Sequence, residues 1–293
     1  MLLSFAAEVA AAGGSVELAV GDRVMVLHGA DDRATLKVDL GFPVVRDVVA
    51  DLTDRSGTRD TTALHGARAI TLDLVFFDER RHALLDELRS YCHPAQRPVL
   101  TLQHPEWDSP RRVVLRADSQ SAPLSADGGW ALEVSASWVA PSGLLEGVDE
   151  MAATIMASGG AGSVGIRYPV RYPVRYTPGG GGGVVTVSNP GSAPASPVAR
   201  LYGPHTGPQI TRDGGGTLAF PGLAIAAGDY LEVDFAARTA RVNGLPDASR
   251  YGALDFAGAT WWDLPPGESA VRFTPDAYSG AAQAVLTYRP AYL

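Results

Sequence analysis

Residues 167–183 constrain this chain more than any other stretch: Arg167-Tyr-Pro-Val, Arg171-Tyr-Pro-Val and Arg175-Tyr-Thr-Pro run in tandem into the five glycines Gly179 to Gly183. Prolines four residues apart rule out a helix and favour an extended or polyproline-like path, and a glycine run has no side chains to bury. Such a stretch cannot sit inside a core, so the chain must fold on either side of it. The small-residue run from Met151 to Gly165 widens this break. The expected organisation is an N-terminal domain over 1–147, a linker over 148–183 and a second domain over 184–293.

With 293 residues, 46% of them hydrophobic, two medium cores are within reach. Gly (33) and Pro (21) make up about 18% of the chain against an average of about 12%, a density of turn-formers that suits short strands. The expected class is therefore mainly β. Ile70, Leu72, Leu74 and Phe76 share one parity, as do Trp130, Leu132, Val134, Ala136 and Trp138, and each set marks a strand with one buried face. Between them Asp78 can cap a helix whose Leu84, Leu85, Leu88 and Cys92 recur at helical spacing, stopped by His93-Pro94. Val99 to Leu102 and Arg112 to Ala117 read as further strands. Beyond the glycines, seven β-like runs from Val184 to Tyr288 are separated by Gly, Pro, Asn and Asp, the spacing of a β-sandwich.

Charge and motifs exclude several functions. A net charge of −8 argues against a dedicated nucleic-acid binder, because neutralising phosphates requires a basic face. Positive charge comes from 23 Arg and the single Lys37, a bias that says little about function. The lone Cys92 forms no intrachain disulfide. No secretion signal is expected, since no Lys or Arg precedes Arg23 and Glu8 interrupts the apolar run, and no stretch reaches the about 20 apolar residues of a membrane span. Gly160-Ala-Gly-Ser-Val-Gly165 fits G-x-G-x-x-G, but Ile166-Arg-Tyr-Pro169 follows where a phosphate-binding helix should start, so no cofactor is expected. His28, His65, His82, His93, His104 and His205 show no metal-binding spacing, and there is no nucleophile elbow. Asp73, Glu133, Glu232 and Asp234 alternate with apolar residues and read as solvent-facing positions on strands. The reading is a non-enzymatic protein without cofactor, metal or catalytic residues.

Aromatic residues are what remains to carry function. Trp107, Trp261, Trp262 and the repeat tyrosines Tyr168, Tyr172 and Tyr176 could contact a protein partner or stack on sugar rings. Neighbours on a strand face opposite sides, so one indole of Trp261-Trp262 is expected in the core and the other against another layer, a ligand or a neighbouring subunit. Core plus subunit packing is the preferred reading, with a glycan platform as the alternative.

The order of segments after residue 188 resembles the C-terminal domain of siphovirus distal tail proteins, often described as minor tail proteins of actinobacterial phages. Asn189-Pro-Gly-Ser-Ala-Pro-Ala-Ser-Pro-Val198 opens the match, followed by Leu201-Tyr-Gly-Pro204 and Pro208-Gln-Ile210. A Gly-Asp step and alternating strand within Leu223 to Asp234, the return Ala240-Arg-Val-Asn-Gly244, Trp261-Trp-Asp-Leu-Pro-Pro-Gly267, Ala270-Val-Arg-Phe273 and Leu286-Thr-Tyr-Arg-Pro-Ala-Tyr292 complete it. Leu64-His-Gly-Ala-Arg-Ala-Ile-Thr-Leu72 more loosely resembles the family's Gly-x-Arg strand before a helix. The resemblance implies an N-terminal β-rich, split-barrel-like domain with one α-helix and a C-terminal galectin-like β-sandwich. It further implies a homo-hexameric ring at the virion tail tip, assembled in the host cytoplasm. The implied partners are the tail tube protein and the tail hub or tail-associated protein, then the tape measure protein and tail fibres, with no specific nucleic-acid binding and no membrane. The Arg-Tyr-Pro-Val repeat departs from the family pattern.

Overall fold

The computed structural model describes residues 15–28, 34–46, 50–51, 58–59, 64–76, 81–121, 132–158, 183–279 and 282–293. The chain forms two compact units, Met1–Val148 with Tyr292–Leu293, and Asp149–Ala291.

In the first unit β1 (Ser15–Val20) and β2 (Arg23–His28) make a hairpin, and β3 (Ala34–Asp39) follows. Two-residue strands come next: β4 (Val45–Arg46) pairs with β7 (Leu64–His65), and β5 (Ala50–Asp51) pairs with β6 (Thr58–Arg59). Then come β8 (Arg68–Phe76), helix α1 (Arg81–Tyr91), β9 (Val99–Gln103), β10 (Arg111–Val114), β11 (Arg116–Ser121), β12 (Leu132–Ala140) and β13 (Leu145–Gly147). One six-stranded sheet runs β2-β1-β9-β10-β13 and ends on a terminal strand, Ala291–Tyr292; a four-stranded sheet runs β11-β12-β8-β3.

The expected alternation is realised on β8 and β12, which pair antiparallel over nine positions from Leu132↔Phe76 to Ala140↔Arg68. Ile70, Leu72, Leu74 and Phe76 meet Leu132, Val134, Ala136 and Trp138 in one buried cluster that includes Leu85, Leu88, Tyr91 and Cys92 of the helical region. The helix thus buries the stripe that its spacing announces. Trp130 and Asp78 lie outside the described residues.

One expected strand is divided. The run from Arg112 to Ala117 is two strands, β10 in the six-stranded sheet and β11 in the four-stranded sheet. The chain changes sheet at the fully buried Leu115, whose N–H donates to the Pro98 carbonyl (2.7 Å). Apolar alternation continues through such a corner because both sheets face the same core, which is why the pattern conceals it. Close approach is also enforced at Gly143, where φ is +70° and a Cβ would collide with the Gly66 carbonyl.

The second unit opens with β14 (Met151–Met156), so the expected connecting segment 148–183 contributes a strand at its start; residues 159–182, with Tyr168, Tyr172, Tyr176 and most of the glycine run, lie outside the described residues. Further strands are β15 (Val184–Asn189), β16 (Val198–Tyr202), β17 (His205–Thr206), β18 (Gln209–Arg212), β19 (Gly216–Ala219), β20 (Ala224–Ile225), β21 (Tyr230–Asp234) and β22 (Thr239–Val242). After a single 3-10 turn (Tyr251–Ala253) come β23 (Gly267–Phe273), β24 (Ala277–Tyr278) and β25 (Gln283–Tyr288), and β26 is the terminal Ala291–Tyr292. They form a five-stranded sheet β14-β25-β16-β21-β22, a four-stranded sheet β15-β23-β18-β19 and a small sheet β20-β17-β24. Ala199, Leu201, Leu231, Val233, Ala284 and Leu286 line the buried face of the first; Val187, Ile210, Leu218, Val271 and Phe273 line that of the second.

Two motif residues show why this segment order folds as it does. Asn189 is 1% exposed, and its amide donates to the carbonyls of Ala193 and Leu264 (2.9 Å each) while its oxygen accepts the Gly191 N–H (3.0 Å). A single side chain thereby satisfies three buried backbone groups and pins two loops. Asn243, at φ +52°, and Gly244, at φ +69°, build the left-handed turn after β22. The Asn243 oxygen accepts the Tyr230 N–H (3.0 Å) and its amide donates to Asp229 (2.8 Å), joining the return to the Gly-Asp step.

Candidate interaction surfaces

Trp107 lies in the turn between β9 and β10 of the first unit, where its ring meets His104 at 5.5 Å between centroids. Its more consequential neighbour is Arg111. The Arg111 guanidinium lies 4.1 Å from the centre of the Trp107 ring and 3.9 Å from that of Tyr292, so one cation is held between two aromatic faces. Ring quadrupoles attract such a cation most strongly where water is displaced. Burial nevertheless pulls the Arg111 pKa down, against the opposing influence of Tyr292 and Asp108.

Arg68, the first residue of β8, is 2% exposed, and burial followed by the positive charge of Arg111 lowers its pKa. Arg68, Arg111 and Tyr292 were not singled out from the sequence. A signal existed for Arg68, which shares the parity of Ile70 and Leu72 and so had to face inward with them.

In the second unit, Trp262 is buried (4% exposed) and Trp261 half-buried. The two indoles differ in burial although neither lies in a strand. Both pack on Phe235, Trp262 at 4.2 Å and Trp261 edge-on at 5.6 Å between centroids. Outward from Trp261 the series continues to Tyr251, parallel within 12° at 6.4 Å, and from Tyr251 to Phe256 at 5.4 Å. Phe256 is 61% and Leu245 56% exposed, so the aromatic set runs from core to surface. Tyr251 and Phe256 were missed in the sequence because they sit in an irregular segment without periodicity.

A third apolar surface belongs to the first unit. β2 is an edge of the six-stranded sheet, with Val24 and Val26 about half exposed. Phe42 is 86% exposed, and Val44 and Val45 about 60%. Edges and patches of this kind invite pairing with another chain.

Among the described residues no group of three or more His, Cys, Asp or Glu is placed to hold a metal ion, and no helix is long and apolar enough to cross a membrane. Burial pushes the Cys92 thiol up to about 11, which removes it as a thiolate nucleophile near neutral pH. His205 is buried beside Phe273, and burial lowers its pKa.

Comparison with known proteins adds an independent line. Residues 190–292 match the family model of the siphovirus-type tail component, C-terminal domain. The chain is similar in fold to the crystal structure of the Dit protein (gp 19.1) of phage SPP1, described as a paradigm of the hub adsorption apparatus in phages that infect Gram-positive hosts. That similarity has a TM-score of 0.63 at 14% identity and covers 95% of this chain and 99% of that one. Similarity to chains of the phage P2 baseplate in its activated conformation is weaker, with TM-scores of 0.46 and 0.45 at 11% and 10% identity, covering 94% of this chain and 97% of those. No curated protein sequence matches the chain.

Proposed function

We propose that this chain is a siphovirus tail component acting as a ring adaptor at the tail tip, a reading supported by the family match over residues 190–292 and by a fold similar to SPP1 Dit over 95% of its length. Six copies close head to tail around the tail axis, joining the tail tube to the hub and fibre-bearing parts. A head-to-tail ring uses two different surfaces on each copy. The open β2 edge with Val24 and Val26, and the exposed Phe42–Val45 segment, supply candidates for the two sides. In this reading the first unit builds the ring, and the second unit, which takes in β14 at the start of residues 148–183, is galectin-like in kind. The role is structural and not enzymatic, and the protein resides in the virion tail after assembly in the host cytoplasm.

The observation that carries the reading is the ordered family match over residues 190–292 on a chain whose whole fold is Dit-like. Its test is the mass of the native protein, alone and on tail particles, followed by image reconstruction of the tip. Six copies per ring are expected. A protein that stays monomeric in solution and is absent from purified tails would end the proposal.

A second reading has one observation in its favour, the surfacing aromatic series Trp261, Tyr251 and Phe256. Exposed rings of this kind stack on sugars, and the unit would then contact the host cell wall. Cell-wall pulldown with the full chain and with Phe256→Ser and Trp261→Ala separates the two: binding lost in the variants favours a glycan contact.

A further inference from the structure

Arg68 lies on the inward face of β8, in line with Ile70, Leu72, Leu74 and Phe76. Its Nε and Nη2 are sealed from solvent, and neither has a hydrogen-bond partner. Those two atoms form one edge of the guanidinium, the edge whose parallel N–H bonds fit the two oxygens of a carboxylate. The molecule uses this edge elsewhere. Arg272 donates from Nε and Nη2 to the two oxygens of Asp213 at 2.9 Å each, and Arg112 directs both at Oε2 of Glu146 at 3.3 Å. Both of those pairs are partly open to water. Arg68 presents the same edge in the buried interior with no carboxylate on it.

Arg111 compounds the problem. Its Nε is also buried and unpartnered, and its charge acts on Arg68 with the same sign. The Trp107 and Tyr292 faces compensate Arg111 in part, whereas Arg68 has no ring above it among the described contacts. A guanidinium cannot escape by releasing its proton, so two like charges in a low-dielectric site call for an anion.

We propose that Arg68 and Arg111 form an oxyanion site that takes one carboxylate or phosphate group on the Nε–Nη2 edge of Arg68, with Arg111 alongside. The group comes from outside the chain, either as a small ion such as inorganic phosphate or as an acidic side chain of a second copy. Acidic residues are in surplus, 32 against 24 Lys and Arg, so a second copy has carboxylates to offer. The site does not depend on the ring reading.

The test uses the full chain. Thermal unfolding is followed in inorganic phosphate and in chloride at matched pH and ionic strength, with native mass measured alongside. The proteins are wild type, Arg68→Lys, which keeps the charge and loses the fork, and Arg272→Lys as a surface-fork control. If a small ion fills the site, phosphate raises the Tm of wild type and Arg272→Lys by about 3 °C or more and leaves Arg68→Lys unmoved. If a second copy fills it, phosphate does nothing, while Arg68→Lys loses the oligomer at unchanged circular dichroism. Equal phosphate response and equal mass in wild type and Arg68→Lys overturn the site. Should Arg68→Lys not fold, hydrogen exchange in wild type decides. Protection of β8 and β12 that rises with phosphate or with oligomerisation supports the site, and protection indifferent to both refutes it. A wild type that is monomeric everywhere removes the ring and leaves the phosphate arm intact.

Discussion

The two units differ in the charge they bury. In the second, the fully buried polar side chains Asn189, His205 and Ser269 are neutral, and Asn189 makes three hydrogen bonds. In the first, Arg68 is buried with a permanent charge and an unused donor edge, and the sheet ends in a strand with exposed valines. The second unit ties Asn189 into three backbone hydrogen bonds, and what it leaves unpartnered in its interior is single N–H or ring-nitrogen positions of His205, Arg212 and Trp262. The first leaves a guanidinium edge and a sheet edge that another group or chain could occupy, as the proposed assembly would need.

This contrast can be broken at Asn189. Asn189→Ala removes the side-chain partner of the Ala193 carbonyl and of the Gly191 N–H, while the Leu264 carbonyl keeps the Ala195 N–H, and should cost about 2 kcal/mol of second-unit stability. Hydrogen exchange read strand by strand should show the loss in β15 and β23 but not in β8 and β12. Arg68→Met should have the opposite sign. Removing an uncompensated buried charge while roughly keeping the side-chain volume should stabilise the full chain by about 1–2 kcal/mol in chloride buffer, read from the denaturant midpoint of the first unit's transition. Destabilisation of that size would mean that Arg68 is already satisfied within the chain.

The second unit's neutrality has a pH limit. Burial holds the His205 pKa below its ordinary value of 6.5, so the unfolded chain takes up the proton first. Stability from this group is complete above about pH 6.5 and falls as pH drops toward the lowered folded value, by at most about 1.4 kcal/mol per pH unit for one proton. Unfolding free energies at stepped pH should show this slope in wild type and lose it in His205→Phe. The smallest effect on stability is expected at Phe42, where Phe42→Ser should change monomer unfolding by less than about 0.5 kcal/mol, since the ring is 86% exposed. Its consequence should instead appear in oligomer mass, which should fall if this residue lies in the ring contact.

Several elements were legible because their pattern matches a local period. The alternating sets on β8 and β12 and the helical stripe Leu84, Leu85, Leu88 and Cys92 need only local geometry to be read. β14 was not legible: its burial runs exposed, exposed, intermediate, exposed, buried, exposed, so only Ile155 faces a core and the stretch reads as a connector. Trp107 was singled out as an aromatic, yet its ring acts through Arg111, and the opposing ring comes from Tyr292, far along the chain.

By itself the sequence determined the mainly β class, the inward faces of the long strands and the ordered segments of the C-terminal family, because each rests on residue type and short-range spacing. Only the tertiary structure decided where the chain changes sheet, that three backbone groups converge on Asn189, and that Arg68 lies buried beside Arg111 without a carboxylate. Those outcomes depend on which distant residues share a volume, and local periodicity carries no information about that.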